Sequence, residues 1–594
     1  MDLNPFPCPS ERRSLLHDCE LVNLPNLFTK CPVTAVSPPD GLEERKFSDR
    51  FPAFNRGNPE AKSSSSGPSA PWYALDSLDL NNVEIPSPPS SPVLAPSIFG
   101  FPSEEIDGEK QDLEADTAIE PAVVVRPQGN SFAMNFNRFK YLLYQFSFFI
   151  GPGWLVSMAY LDPGNLEGDL TVGNIRTVPG SGYQLLWLLL VAHIAGWSLQ
   201  VLAVRLGNTT GKDLARSEYN RPVAYTIWFC IEIAIIGADL QAVIGTALAL
   251  NLLLGIPILM GIVITLLDTF IFLIIQIFGV RKLEFFFAFL IGIMTVCFWA
   301  NFVISKPNLN YLFQGLFIPR IPQGKQLSAL GLLGSIIMPH NLFLHSSLVQ
   351  SRNIKRTQIN RVKQANIFFS IETGIALIIS FLINLSVVGS FANPNVIVPP
   401  GSDGLSLHNA HIALRNAFGG LSVFVWAFGL LAAGQNATMA GTFAGQFLMQ
   451  GIFRLKINPV VRIVLTRLIT IIPLFSITLL TSSSIDIISQ WVNILQSVLL
   501  PIALLPLLKL NFSKNAVGDV VLSSWMKVCY ALCVLAVVGG NLVLVFVTLI
   551  SYERSNLFWG ISVVVASSYI GILLYFALKP IHGKYCCHVY ETHS

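Results

Sequence analysis

Charge is scarce in this chain: Lys, Arg, Asp and Glu together make up 12% of the 594 residues, against 52% hydrophobic. A soluble protein carries about 25% charged residues, so this composition excludes a surface solvated in the ordinary way and suits lipid. Cysteine supplies no framework either. The nine cysteines form no CxxC pair, and Cys230, Cys297, Cys529 and Cys533 lie inside apolar runs, which argues against a zinc module or a disulfide scaffold. There is no P-loop, no HExxH and no GxSxG in a suitable context, and no large soluble segment to carry such chemistry, so an enzyme is not expected. No resident cofactor is indicated. Nucleic acid is not an expected partner, because the basic residues sit in short loops instead of one patch. The N-terminus reads as lacking a secretory signal.

What is present divides the chain in three. Residues 1–137 hold 20 of the 35 acids but only 10 of the 38 bases, with Pro- and Ser-rich stretches such as Pro86-Ser-Pro-Pro-Ser-Ser-Pro92. With little apolar periodicity to build a core, this segment reads as a disordered acidic cytosolic tail. Within it Glu11-Arg-Arg-Ser-Leu15-Leu16 has the spacing of an acidic dileucine sorting signal. It favours endocytic adaptors as partners and an endosomal, lysosomal or vacuolar membrane over the plasma membrane. Residues 138–580 read as a transmembrane transporter domain and 581–594 as a short cytosolic tail.

Twelve apolar runs long enough to cross about 30 Å of hydrocarbon recur between residues 141 and 578. Basic residues alternate between the connections: Lys212, Arg216 and Arg221, then Arg281 and Lys282, then Arg352, Lys355, Arg356, Arg361 and Lys363, then Arg454 and Lys456, then Lys509 and Lys514. The intervening connections are poorer in them. The positive-inside rule therefore places both termini in the cytosol.

Two spans combine polar residues with helix breakers near their middle. The first contains Asp162-Pro163-Gly164-Asn165; the sixth contains Gly334-Ser335-Ile-Ile-Met338-Pro339-His340-Asn341. Pro163 has no N–H for the carbonyl of Ala159, and Pro339 has none for that of Ser335, so both helices should break there. Irregular backbone at membrane depth is tolerated only inside protein or beside a polar cavity. Breaks in spans one and six are the placement expected of two five-helix repeats of inverted topology with a substrate site between them, spans eleven and twelve being additions.

The candidate ligands at that site are the Asp162 carboxylate, the Asn165 amide oxygen, the Ser335 carbonyl and the Met338 thioether. A thioether gives magnesium and calcium nothing, whereas Mn²⁺, Fe²⁺ and softer divalent ions accept it. A Met beside a Pro in an apolar helix ordinarily packs; its coincidence with the second break is what marks this one. Glu232 and Asp239 are seven apart, two turns along one face of the third span, and His340 and His345 follow the second break. All four are proton-path candidates, with a purely structural polar network as the competing reading. Arg467, inside the ninth span, needs an acidic partner.

Asp162-Pro-Gly-Asn165, Met338-Pro-His340-Asn341 and Gly434-Gln-Asn-Ala-Thr-Met-Ala-Gly-Thr-Phe-Ala-Gly-Gln446 resemble the three hallmark segments of the natural-resistance-associated macrophage protein (NRAMP) family, over about residues 140–580. The resemblance implies an all-α, LeuT-like fold and proton-coupled symport of Mn²⁺, Fe²⁺ and related ions into the cytosol. It implies that Asp162, Asn165, Ser335 and Met338 hold the ion, that His340, His345, Glu232 and Asp239 serve proton transfer or gating, and, more weakly, that Asn493 approaches the ion in an occluded state. Two departures stand out. Ala242 occupies the place, three beyond Asp239, where the family commonly has glutamate, and Ser335 stands where alanine is usual. Two alternatives belong to other classes: a non-transporting membrane metal sensor, favoured by Ala242, and a sodium-coupled amino-acid symporter on the same scaffold.

Overall fold

A computed structural model of the chain describes residues 145–216, 219, 221–265, 267, 280–352, 354–400, 404–453, 461, 468–472, 474–476, 484–518, 520–550 and 556–578. The segments 1–137 and 581–594, with Glu11, Leu15 and Leu16, lie outside the described residues, as does Arg467. Every regular element described is helical. Span one is two helices, α1 (Pro152–Ser157) and α2 (Pro163–Gly173). Spans two, three and five are α3 (Leu186–Thr210), α4 (Arg221–Leu254) and α5 (Val280–Ser305). After a short connecting α6 (Leu309–Phe317), span six is again two helices, α7 (Gln326–Ile336) and α8 (Pro339–Leu348). Span seven is α9 (Ile359–Phe391); α10 (Ala410–Phe418) connects it to α11 (Gly420–Phe453), and α12 (Ser484–Phe512), α13 (Ser524–Ile550) and α14 (Asn556–Leu578) complete spans ten to twelve. The fourth and ninth spans are helical where described.

Eight helical segments among the described residues, the broken sixth span counted as one, are long and apolar enough to cross a membrane. Together with the broken first span, α14 and the partly described fourth and ninth spans they account for the twelve runs of the sequence. The apolar character is two-sided. On α5, Phe287, Ile291, Met294 and Phe298 are buried while Phe285, Phe289, Val296 and Val303 are exposed, each by more than half. A helix apolar on both faces needs protein on one side and lipid on the other, so the protein is a multi-pass membrane protein.

The packing carries a symmetry that the sequence halves do not display. Among the described spans, exchanging a span with the one five places along turns several contacting pairs into other contacting pairs. Span three packs on ten (α4 on α12), as span eight packs on five (α11 on α5). Span two packs on six (α3 on α7 and α8), as span seven packs on one (α9 on α1 and α2). Span one meets five (α1 on α5), as six meets ten (α7 on α12). That is the relation of two interlocked five-helix repeats, with both broken spans at their shared centre.

Candidate functional site

Both breaks are helix starts built by their local sequence. At the first, Asp162 is extended (φ −77°, ψ 167°) and caps α2: its carboxylate accepts the Asn165 backbone N–H at 2.8 Å and the Asn165 side-chain amide at 2.9 Å. Pro163 at the first helical position loses nothing, since that N–H would be unpaired in any case. At the second, α7 stops at Ile336, and Met338 is extended (φ −83°, ψ 134°) ahead of Pro339, which begins α8. The first break is wider than the sequence indicated. A 3-10 turn at Met158–Tyr160 replaces the α-helix before Asp162, and the Ala159 carbonyl, expected to be free, accepts the Asn165 side-chain amide at 3.3 Å. The reason is local: Asn165 folds back over the break from the first turn of α2.

One residue of α12 ties the two breaks together. Asn493 donates its side-chain N–H to the Gly164 carbonyl at 3.0 Å, while a methyl group placed on Gly334 would overlap the Asn493 backbone oxygen. On its other side Asn493 Oδ1 accepts from Gln241 Nε2 of α4 at 2.8 Å, and the same nitrogen donates to the Ser489 carbonyl at 2.9 Å. A methyl on Gly164 would overlap Gln241 Oε1; glycine is needed there for close approach. Asp162 and Asn165 flank the first break, Ser335 and Met338 the second, and each is no more than 2% exposed. The Ser335 hydroxyl is engaged by the Leu332 carbonyl at 2.9 Å, leaving its backbone carbonyl, for which Pro339 has no N–H, as the group available to a ligand. Asn165 Oδ1 has no hydrogen-bond partner among the described residues. The set offers one carboxylate, two neutral oxygens and a thioether, all on buried residues.

The proton-path candidates divide. His345 is buried, and its Nδ1 lies 3.0 Å from Gln200 Oε1. Because an amide oxygen only accepts, Nδ1 carries the proton in this network. Gln200 in turn donates to the Tyr160 hydroxyl at 3.1 Å, and Asn384 of α9 donates to the Tyr160 carbonyl at 3.1 Å. A polar chain therefore runs from His345 of α8 through Gln200 of α3 to the Tyr160 hydroxyl, on a residue two places before Asp162. His340 is buried nearer the second break. On α4, Asp239 is buried and Glu232, two turns away, is half-buried; Ala242 is fully buried. Sequence reasoning passed over Tyr160, Gln200 and Gln241. The signal available for the two glutamines was an uncharged amide within an apolar run, which becomes informative only once its distant partner is known.

A second cluster closes the far end of span one. Arg352, between spans six and seven, pairs with Glu284 of α5 at 2.8 Å and donates to the carbonyls of Ile150 and Phe148 at 2.8 and 3.1 Å. Glu372 of α9 accepts the N–H groups of Gly151 and Gly153 at 2.5 and 3.0 Å, capping the start of α1. Gly151 has φ 144°, open to glycine alone, and a methyl there would overlap the Glu284 carboxylate. Glu372 thereby acts as a structural group at the start of α1.

The fold and the converging breaks have close counterparts. Relatives include the metal transporter nramp1 homolog of Dictyostelium discoideum, 42% identical over 70% of this chain and 77% of its own length. Another is natural resistance-associated macrophage protein 2 of Homo sapiens, 39% identical over 72% and 80%. A crystal structure of the Eremococcus coleocola manganese transporter superposes with a TM-score of 0.62 at 29% identity, covering 76% of this chain and 96% of that one. The model of the natural resistance-associated macrophage protein-like family matches residues 153–547, which contain both breaks and every described candidate ligand, and the chain belongs to that family.

Proposed function

We propose that the protein is a proton-coupled symporter that carries divalent transition metal ions, Mn²⁺, Fe²⁺ and their near relatives, into the cytosol. The observation that carries the reading is the junction at Asn493, where the two interrupted helices meet beside the buried Asp162, Asn165, Ser335 and Met338. A single carboxylate neutralises half the charge of a divalent ion, which suits a site that must release its cargo as well as capture it. Asn165 and the Ser335 carbonyl replace water oxygens, and Met338 contributes the soft contact that alkaline-earth ions do not use. The relatives named as metal transporters, and the solved manganese transporter, support the same class of cargo.

Asp239, Glu232, His340 and His345 are the groups that would take protons inward with the ion, the chain through Gln200 and Tyr160 linking His345 to the first break. Exchange of access between the two sides follows from rocking one repeat against the other about the central point. With residues 1–137 and 581–594 on the cytosolic side, an acidic endosomal or vacuolar lumen would drive metal outward into the cytosol, in keeping with the sorting pattern at Glu11, Leu15 and Leu16.

The test is Mn²⁺ uptake into proteoliposomes with an acidic exterior and a neutral interior. Intact protein is expected to take up Mn²⁺ and to acidify the lumen as it does so, and Asp162→Ala to do neither. Metal binding without flux in the intact protein would overturn the transport reading in favour of a sensor.

A further inference from the structure

Three acids fall within eight residues of the first span, and the structure treats them differently. Asp162 caps α2. Glu167 is held from outside the helix: its carboxylate accepts the Leu407 N–H at 2.8 Å and faces the Gln490 amide at 3.5 Å. Asp169 is fully buried, and neither of its carboxylate oxygens has a hydrogen-bond partner among the described residues.

A buried carboxylate without a partner costs several kcal/mol in the absence of compensation. Its position adds to that cost. Asp169 lies in the second half of α2, toward the helix end whose exposed carbonyls carry partial negative charge and favour a cation. The nearest basic residue along the chain, Arg176, is spent on carbonyl oxygens: those of Gly173 at 2.9 Å, Phe391 at 2.7 Å, Asn393 at 3.2 Å, and Ala392 and Val396 at 3.3 Å. Asp169 stands one helical turn beyond Asn165 on the same face, with Cβ atoms about 5–6 Å apart at that spacing, and the Asn165 amide oxygen is also without a partner. The two turns between Asp162 and Asp169 amount to a rise of about 10 Å.

We propose that the Asp169 carboxylate and the Asn165 amide oxygen form a second, transient station for a divalent transition metal ion, one turn from the central site toward the C-terminal end of α2. The inference rests on the transport reading and adds to it a stop on the access route. An ion arriving from that side meets a full negative charge before it reaches Asp162. It is passed inward through Asn165, which both stations share, so dehydration proceeds in two smaller steps. With Asp169 buried as it is here, its carboxyl has no hydrogen-bond partner among the described residues and stands available to an ion when that side opens.

The experiment has a binding arm and a flux arm. With the central carboxylate removed in Asp162→Ala, detergent-solubilised full-length protein is titrated with Mn²⁺ alone and bound ion is counted by electron paramagnetic resonance. Weak residual binding is expected, and adding Asp169→Asn is expected to abolish it. In proteoliposomes, Asp169→Asn is expected to raise KM for Mn²⁺ by about tenfold with Vmax reduced less than twofold, the signature of a lost capture step, while Asp169→Glu stays near the KM of the intact protein. Residual binding that ignores Asp169, or an unchanged KM, overturns the proposal; so does a shifted pH profile at constant KM, which would make Asp169 a proton carrier. Should Asp169→Asn fail to fold, Asp169→Glu decides: its KM stays near that of the intact protein if the carboxylate captures the ion, and transport lost with the fold preserved overturns the station. Failure of the intact protein to move Mn²⁺ at all would instead strike the transport reading.

Discussion

Of the four candidate ligands, Met338 alone offers a soft donor. The residue is 1% exposed, so a Met338→Ala change leaves a small void and removes that donor. Ca²⁺ is expected to enter proteoliposomes carrying Met338→Ala and not those carrying the intact protein, with Mn²⁺ uptake still measurable in both; equal exclusion of Ca²⁺ would reduce Met338 to packing. Gly164 and Gln241 give a second test. Gly164→Ala forces a methyl into Gln241 Oε1, and overpacking of this kind costs about 1–3 kcal/mol. Gln241 is pinned by Asn493 and the Ser489 carbonyl and has little room to yield. Gly164→Ala should lower the melting temperature and Mn²⁺ uptake, and Gly164→Ala with Gln241→Ala should recover part of both; strict additivity would show that the two do not press on each other. Asp162 and Asn165 were legible in the sequence because a proline and a glycine beside them announce a break. Gln241 was not, because the reason for its amide lies 252 residues away at Asn493.

At the scale of elements, α1 and α8 show how a six- and a ten-residue helix persist within one membrane protein. Helices this short are unstable alone; α1 is held by Glu372 at its start and by Arg352 through the carbonyls that precede it. Arg352→Ala would remove the buried pair with Glu284 and the bonds to the carbonyls of Phe148 and Ile150, and breaking a buried pair costs about 3–5 kcal/mol. The closed position of α1 is expected to loosen. A cysteine introduced as Ser157→Cys, buried in the intact protein, should then react faster with a thiol reagent, and an unchanged rate would show that Arg352 does not hold α1 closed. The prolines made the existence of these breaks readable. The 3-10 turn ahead of Asp162 was not readable, since it follows from where Asn165 and Asn384 bind the backbone of residues 159 and 160.

For the whole molecule, the closed arrangement isolates the centre from both sides. Asp162 and Met338 are as buried as the hydrophobic core, so on the proposed reading an ion reaches them only when one repeat moves. Leu15 and Leu16 are not among the candidate metal or proton residues, so sorting and transport should separate. Leu15→Ala with Leu16→Ala is expected to move the protein to the cell surface while Mn²⁺ uptake in proteoliposomes stays unchanged; an unmoved distribution would remove the sorting signal. The number of spans, the two interruptions and the residue types at them came from the sequence alone, because hydrocarbon thickness and the missing proline N–H act on consecutive residues. The symmetric packing of the repeats, the meeting of both breaks at Asn493, the polar chain from His345 to Tyr160 and the solitary burial of Asp169 belong to the tertiary structure, because each depends on which distant helix faces a given side chain, and an apolar span alike on all its faces does not encode that choice locally.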